Sequence, residues 1–266
     1  MEYRPVKYDS ILNKITKKDR LFLGDYTVDP YQNCEFGCKY CDSTYESTVY
    51  IKSNADEILE KELEQNQKGT VIIGSVHDPY QKAEEKYMLT RKILKVIKKH
   101  GFTCHILTKS DLVLRDIDLL KEIDSPLVTI SMSSIEPSIL KIFEENVPSP
   151  KIRFKTIEKL SENNIRTGLA IMPIFPLIFE ENLEEIIKEA KEHNASYALF
   201  KHLELKGDQK IKFFETLEEK FPDLLEKYDE LYKDSYMPKE SYISNLNSKI
   251  KKISKKYEIK NEILNG

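Results

Sequence analysis

The stretch CEFGCKYC, Cys34 to Cys41, holds three of the chain's four cysteines in a C-x3-C-x2-C spacing. Three soft sulfur ligands so close together suit iron or zinc, and Gly37 lets the loop turn tightly enough to converge them. A closed structural zinc site normally needs a fourth protein ligand, usually from a second C-x2-C pair, and the sequence has no such pair. Cys104 lies far along the chain in the apolar run FTCHILT, where a buried structural thiol is expected. What remains is a metal centre on Cys34, Cys38 and Cys41 with one position open, for which zinc stays the rival of an iron-sulfur cluster.

Around this loop the chain has 266 residues, enough for one large domain or one domain with an appendage. No apolar run is long enough to span a bilayer, and the N-terminus MEYRPVKYDS lacks the charged-then-apolar order of a signal peptide. A cytoplasmic protein without membrane contact is expected, in keeping with clustered free thiols. The formal net charge of -3 disfavours tight binding to a nucleic acid duplex.

Residues 1 to 20 are lightly patterned and read as an N-terminal strap of no assignable role. LFLGDYTVDPYQNC reads as a strand ending at Asp29-Pro30 and delivering the chain to the cysteine loop. Ser53 and Asp56 then resemble a helix N-cap and its N3 acid, with a helix to about Gln67 and Gly69 suited to stop it. TVIIG, residues 70 to 74, is a short continuous apolar run, as in a strand covered on both faces. The alternation repeats. Helices near 84 to 99 (closed by Gly101), 116 to 123, 152 to 163 and 180 to 193 precede the strands FTCHILT, LVTISM, RTGLAIMP and SYALF. Six strands alternating with helices predict an α/β fold, a partial (β/α)6 TIM-like barrel of parallel strands. From about residue 208 the strands cease, and a C-terminal helical extension over 208–266 is expected to pack on a barrel spanning 1–207.

In such a barrel the reactive groups gather at the C-terminal ends of the strands. After the second strand, Gly74 allows close backbone approach, and His77 and Asp78 offer an imidazole and a carboxylate; Asp78-Pro79 is also a ready turn initiator. Lys109 after the third strand suits a carboxylate. Ser131 and Ser133 place two hydroxyls on one strand face. On the fifth strand Gly168, Ala170 and Met172 supply small and apolar backing, and His202 and Glu204 after the sixth could face a substrate.

The octet, with Tyr40 just before its last cysteine, looks like the cluster loop of the radical S-adenosylmethionine (SAM) superfamily. The series DPYQNCEFGCKYC, GSVHDPYQ, LTKSDLVLRDIDLL, SMSSIEPS, PSPKIRFKTIEKLSENNI and MPIFP resembles that superfamily's spore photoproduct lyase-like branch. The resemblance implies a [4Fe-4S] cluster on the three cysteines, with SAM filling the open iron. It implies that Lys109 and Ser131 contact the methionine end or ribose of SAM, and the rim positions His77 and Asp78 fall where that branch also touches the cofactor; from their places on the loop and strand ends, Tyr40, Gly74, Ser133 and Met172 are expected to border it too. An electron donor such as flavodoxin or ferredoxin is implied as a partner. One departure stands out. The branch's namesake carries a hydrogen-donating cysteine at the end of its second strand, where this chain has Ser75, and Asp42 replaces the tyrosine that follows the last cluster cysteine. A hydroxyl hydrogen is held too strongly to quench a carbon radical as a thiol does. Asp42, His77 and His202 are therefore expected on the substrate side, and lyase chemistry on a small nucleoside-like molecule is expected rather than repair of a DNA or RNA lesion. The branch also holds lyases that free queuine from queuosine.

Overall fold

The computed structural model describes residues 1–17, 21–41, 47–233 and 235–263. Six parallel strands form its sheet in chain order: β3 (Tyr26–Val28), β6 (Thr70–Ile73), β7 (Thr103–Thr108), β8 (Leu127–Ser131), β9 (Arg166–Ile174) and β10 (Ala198–His202). A short antiparallel strand, β2 (Asn13–Lys14), edges β3. The register is continuous from β3 to β9, with Val28 beside Ile73, Val71 beside Cys104, Ile106 beside Val128, and Thr129 beside Gly168, and it shifts between Phe200 and His202 where β10 pairs with β9. Val71, Cys104, Ile106, Val128 and Leu169 are fully buried, as sheets covered on both faces require. Among the described strands β10 pairs only with β9, its other edge meeting just an isolated bridge at Tyr197 and Lys260, so the sheet curls without closing and the expected partial barrel results.

Helices α1 (Ala55–Glu64), α3 (Leu89–His100), α4 (Ile117–Leu120), α6 (Pro150–Glu162) and α7 (Leu183–Glu192) connect these strands. In α3 the buried Ile93, Leu94, Val96 and Ile97 recur at three- and four-residue spacing and join the core of the parallel sheet, each worth about 1.5–3 kcal/mol of transfer free energy. Gly101 stops α3 in the left-handed region, at φ 65°.

The structure also departs from the sequence reading. The helix predicted over 84–99 is broken at Met88, where φ is 52°, leaving the short α2 (Ala83–Tyr87) before α3. The buried Glu84 carboxylate accepts the amides of Thr90 (3.0 Å) and Arg91 (3.3 Å), capping α3 and favouring the break. The helix expected over 116–123 is a 3-10 turn, Asp111–Asp116, followed by α4. A further helix, α5 (Pro137–Phe143), lies between β8 and α6. The strap has a role as well: β1 (Glu2–Val6) pairs in parallel with β5 (Thr48–Lys52), which pairs antiparallel with β4 (Tyr31–Gln32). These pieces are short and carry little hydrophobic periodicity, so pairing with distant segments decides them.

Helices α8 (Gly207–Lys220), α9 (Leu225–Leu231) and α10 (Glu240–Lys256) follow the last strand. Phe213 and Leu217 of α8 and Tyr228 of α9 share a second core with Phe36, Cys38 and Tyr40 of the cysteine loop and with Phe143, Phe175 and Phe179. Helices α8 and α9 thus pack against the loop itself, while Leu246, Ile250 and Ile253 of α10 join the main core. No helix of the described residues is long and apolar enough to cross a membrane.

Candidate functional site

The cysteine loop leaves β4 and lies across the C-terminal ends of the parallel strands. Cys34, Cys38 and Cys41 line one cavity of about 190 Å³ with Phe36 and Tyr40. Its far wall comes from the strand ends: Gly74, Ser75, Val76 and Asp78 after β6, Thr108 and Lys109 at the end of β7, Ser131 on β8, and Ala170 and Met172 on β9. The loop is pinned by backbone bonds from Lys39 to the Phe143 carbonyl (3.0 Å) and from Cys41 to that of Cys38 (3.1 Å). The Glu35 carboxylate accepts Tyr3 of β1 (2.7 Å) and the amide of Ala83 (2.6 Å). Gly37 turns at φ 64°.

The donor set suits an iron-sulfur cluster, because three soft sulfur ligands line one wall of the cavity. Burial pushes the Cys38 thiol up to about 12 and raises Cys34 as well. A bound cation reverses that preference, because a coordinating thiol loses its proton to the metal's charge.

Around the rim each polar group has a definite partner. Gly74 adopts φ 87°, and a Cβ there would come within 2.4 Å of Pro79 Cδ and 2.5 Å of the Leu107 carbonyl oxygen. Asp78 Oδ1 accepts the Tyr80 amide (2.9 Å) and the Thr108 hydroxyl (2.7 Å), and Oδ2 accepts the Lys109 amide (2.7 Å). Asp78 thereby performs the turn-forming job its Asp-Pro pair suggests while also facing the cavity. Burial holds its carboxyl above the ordinary range despite those donors. Lys109 Nζ donates to Ser131 Oγ at 3.1 Å and stands 5.9 Å from the centre of the Tyr40 ring. Burial opposes its charge, but Cys38, Glu144 and Asp78 prevail and its pKa lies above the ordinary lysine value.

A buried ion pair that the sequence reading passed over lies behind this wall. Glu144, which follows α5, accepts Arg153 Nη2 of α6 at 2.5 Å, the Ser133 hydroxyl at 2.9 Å, and the Tyr40 hydroxyl. Arg153 also donates to the carbonyls of Pro148 (2.7 Å) and Ser131 (3.1 Å). Glu144 and Arg153 are 2% and 1% exposed, which for charged side chains requires pairing. An arginine three residues after a Ser-Pro helix start was the only signal in the sequence, and it reads equally well as surface charge.

The cavity opens into an outer chamber of about 440 Å³, with which it shares Tyr40, Cys41, Ser75, Val76 and Met172. The chamber's remaining wall includes Lys201, His202, Glu204, Lys206 and Gln209. Glu204 is bridged by Lys201 (2.9 Å) and Lys206 (2.6 Å). His202 Nε2 is buried with no hydrogen-bond partner among the described residues. Burial lowers the His202 pKa, with Glu204 working the other way. Gln209 donates to the Tyr40 carbonyl, tying α8 to the cysteine loop.

Three expectations change. Ser133 lies off the cavity wall because β8 ends at Ser131 and the chain turns its hydroxyl toward Glu144. His77 lines neither cavity, since Asp29 accepts the amides of Val76 (3.1 Å) and His77 (3.2 Å) and sets the course of that turn. Gly168, expected as small backing for the cavity, instead makes room for a ring of the chain itself, as a Cβ there would meet Tyr197 at 2.2 Å. Asp42 lies outside the described residues. Cys104 is a fully buried core thiol.

The sequence profile of the radical SAM superfamily matches residues 28–190. The uncharacterized protein MJ0683 of Methanocaldococcus jannaschii is 34% identical over 211 residues, covering 76% of this chain and 78% of its own. The uncharacterized protein Rv2578c of Mycobacterium tuberculosis is 26% identical over 278 residues, covering 97% and 81%. Among solved structures, spore photoproduct lyase complexed with dinucleoside spore photoproduct superposes with a TM-score of 0.70 at 14% identity, over 95% of this chain and 79% of that one. At that identity the likeness establishes a shared fold. The chain belongs to the radical SAM superfamily, whose enzymes use a [4Fe-4S] cluster and SAM.

Proposed function

We propose that this radical SAM enzyme is a lyase acting on a small nucleoside-like molecule held in the outer chamber. The observation that carries the reading is the shared boundary of the two cavities, at Tyr40, Cys41, Ser75, Val76 and Met172. In this reading Cys34, Cys38 and Cys41 hold the cluster, and Lys109, Ser131 and Asp78 border SAM. With cluster and SAM bound, the site would supply one-electron reductive chemistry able to take hydrogen from a substrate carbon. The chain's own part is orientation. Lys109 offers a positive charge to a carboxylate, Ala170 and Met172 offer an apolar wall to a base, and the aromatic core around Phe36 limits water.

The outer chamber supports a polar substrate of modest size, because Ser75, Lys201, His202, Glu204 and Gln209 offer hydrogen-bonding groups beyond an apolar neck. Ser75 donates to Asp29 Oδ2 at 2.9 Å, and its hydroxyl is unsuited to returning a hydrogen atom. Cleavage of the glycosidic bond of queuosine, releasing queuine, is the specific reaction that the sequence resemblance suggests. Flavodoxin or ferredoxin would serve as reductant in a cytoplasmic setting. Repair of a DNA or RNA lesion is the second reading, favoured by the fold shared with spore photoproduct lyase and opposed by Ser75. Of the α10 lysines, Lys249 donates to the Glu180 carbonyl and Lys256 to the Glu184 carboxylate, each at 2.5 Å, so these two add little to it.

The test is incubation of anaerobically reconstituted protein with SAM, dithionite and queuosine. Free queuine is expected alongside 5'-deoxyadenosine, and Ala at Cys34, Cys38 or Cys41 should remove bound iron and both products. Intact queuosine beside abundant 5'-deoxyadenosine would discard the substrate and keep the class. A parent protein that makes no 5'-deoxyadenosine would remove the reading altogether.

A further inference from the structure

Glu144 lines neither the cysteine cavity nor the outer chamber, yet it is joined to the cavity wall from two sides. On one side it accepts the hydroxyl of Tyr40, the residue between Cys38 and Cys41. On the other it holds Arg153 at 2.5 Å, and Arg153 Nη1 donates to the carbonyl of Ser131 at 3.1 Å. Ser131 in turn receives Lys109 Nζ at 3.1 Å, and that ammonium stands 5.9 Å from the centre of the Tyr40 ring. The contacts therefore form a closed circuit: Tyr40, Glu144, Arg153, Ser131, Lys109 and back to Tyr40. Three of its members line the cavity and two lie behind it.

A buried ion pair is weak support for stability, since well-packed apolar residues of similar volume often do as well. Its value lies in fixed geometry. Glu144 is reached by three donors from three segments of chain, namely the cysteine loop, the β8 terminus and α6. The backbone repeats the connection, because the Lys39 amide bonds the carbonyl of Phe143, the residue before Glu144. The cysteine loop and the strand ends that face it are thus referred to one carboxylate.

We propose that Glu144 is a positioning residue for SAM: with Arg153 it holds Tyr40 on the cysteine loop in register with Ser131 and Lys109 on the strand ends, so that the cofactor meets both walls at once. The proposal rests on the reading that this cavity holds the cluster and SAM. Loss of the carboxylate leaves all three cysteines in place, so the cluster should still assemble while the fit of SAM deteriorates.

The experiment compares the parent, Glu144→Gln, Glu144→Asp and Tyr40→Phe as reconstituted proteins. Iron and sulfide content, SAM affinity and the SAM-induced change in the electron paramagnetic resonance spectrum of the reduced cluster are measured. Glu144→Gln is expected to keep the parent's iron content and its spectrum without SAM. Its affinity for SAM should fall by about tenfold or more, as for other groups that orient residues at a metal centre, and the SAM-induced spectral change should weaken. Glu144→Asp should recover part of both. Tyr40→Phe keeps the buried ion pair and opens the circuit at one hydrogen bond, so it carries the test should Glu144→Gln fail to fold; a severalfold loss of affinity is expected. Parent-like affinity and spectral change in the variants would overturn the positioning role alone. A parent whose cluster spectrum ignores SAM would overturn the underlying reading as well.

Discussion

The hydroxyl of Tyr40 donates to the carboxylate of Glu144, joining positions 104 apart in the chain. One belongs to the cysteine loop and the other follows a helix on the opposite side of the cavity wall. Because Arg153 completes the pair at 2.5 Å, its removal should be costly. Arg153→Met leaves a buried carboxylate without its counter-charge, and about 3–5 kcal/mol of stability should be lost. Urea unfolding of the apoprotein measures it. A midpoint within error of the parent's would mean that the carboxylate gains protons or water at little cost.

Among the described residues Lys109 is the one lysine lining the cysteine cavity, and its charge is held by Cys38, Glu144 and Asp78 against burial. Lys109→Met should preserve iron content, raise the KM for SAM by about tenfold, corresponding to roughly 1.4 kcal/mol of lost interaction, and change the cluster's absorbance little. Rates of 5'-deoxyadenosine formation across SAM concentrations give the answer. An unchanged KM would remove the residue from the cofactor site.

At Gly74 a methyl group has nowhere to go, lying 2.4 Å from Pro79 Cδ and 2.5 Å from the Leu107 oxygen in a left-handed backbone. Gly74→Ala should cost about 3 kcal/mol or more through strain and overpacking combined. It should also displace Asp78 and weaken SAM binding. Thermal unfolding and SAM titration of the same protein test both consequences, and a stable variant with parent affinity would show that the turn can relax.

His202 has its pKa lowered from 6.5, chiefly by burial. The unfolded chain then binds a proton at higher pH than the folded one. This residue's contribution to stability should be complete above about pH 6.5 and fade as the pH falls through 6.5 toward the lower folded value. His202→Gln should flatten the parent's decline in stability between about pH 7 and pH 5. Denaturation midpoints across that range are the measurement, and parallel curves for the two proteins would contradict the lowered value.

The cysteine spacing and the six apolar runs were legible because both are local. Metal-ligand spacing is written in consecutive residues, and a strand buried on both faces must be apolar throughout. Gly74, Asp78, Lys109 and Ser131 were also readable, since a parallel α/β fold sends the residues just after each strand to one end. Ser133 and His77 were misplaced by the same reasoning. A strand's alternation stops where the strand stops, and Ser133 lies two residues past the end of β8 while His77 lies in a turn held by Asp29.

What the sequence determined by itself, then, was a three-sulfur centre on a parallel α/β scaffold, because ligand type, spacing and hydrophobic period are properties of short segments. Tertiary structure decided how that centre is held. The Tyr40, Glu144 and Arg153 contacts, the packing of Phe213 and Tyr228 against the loop, and the outer chamber around His202 all join residues far apart in sequence. Such contacts depend on which surfaces the folded chain brings together, and a buried carboxylate looks like any solvated one until its partners are known.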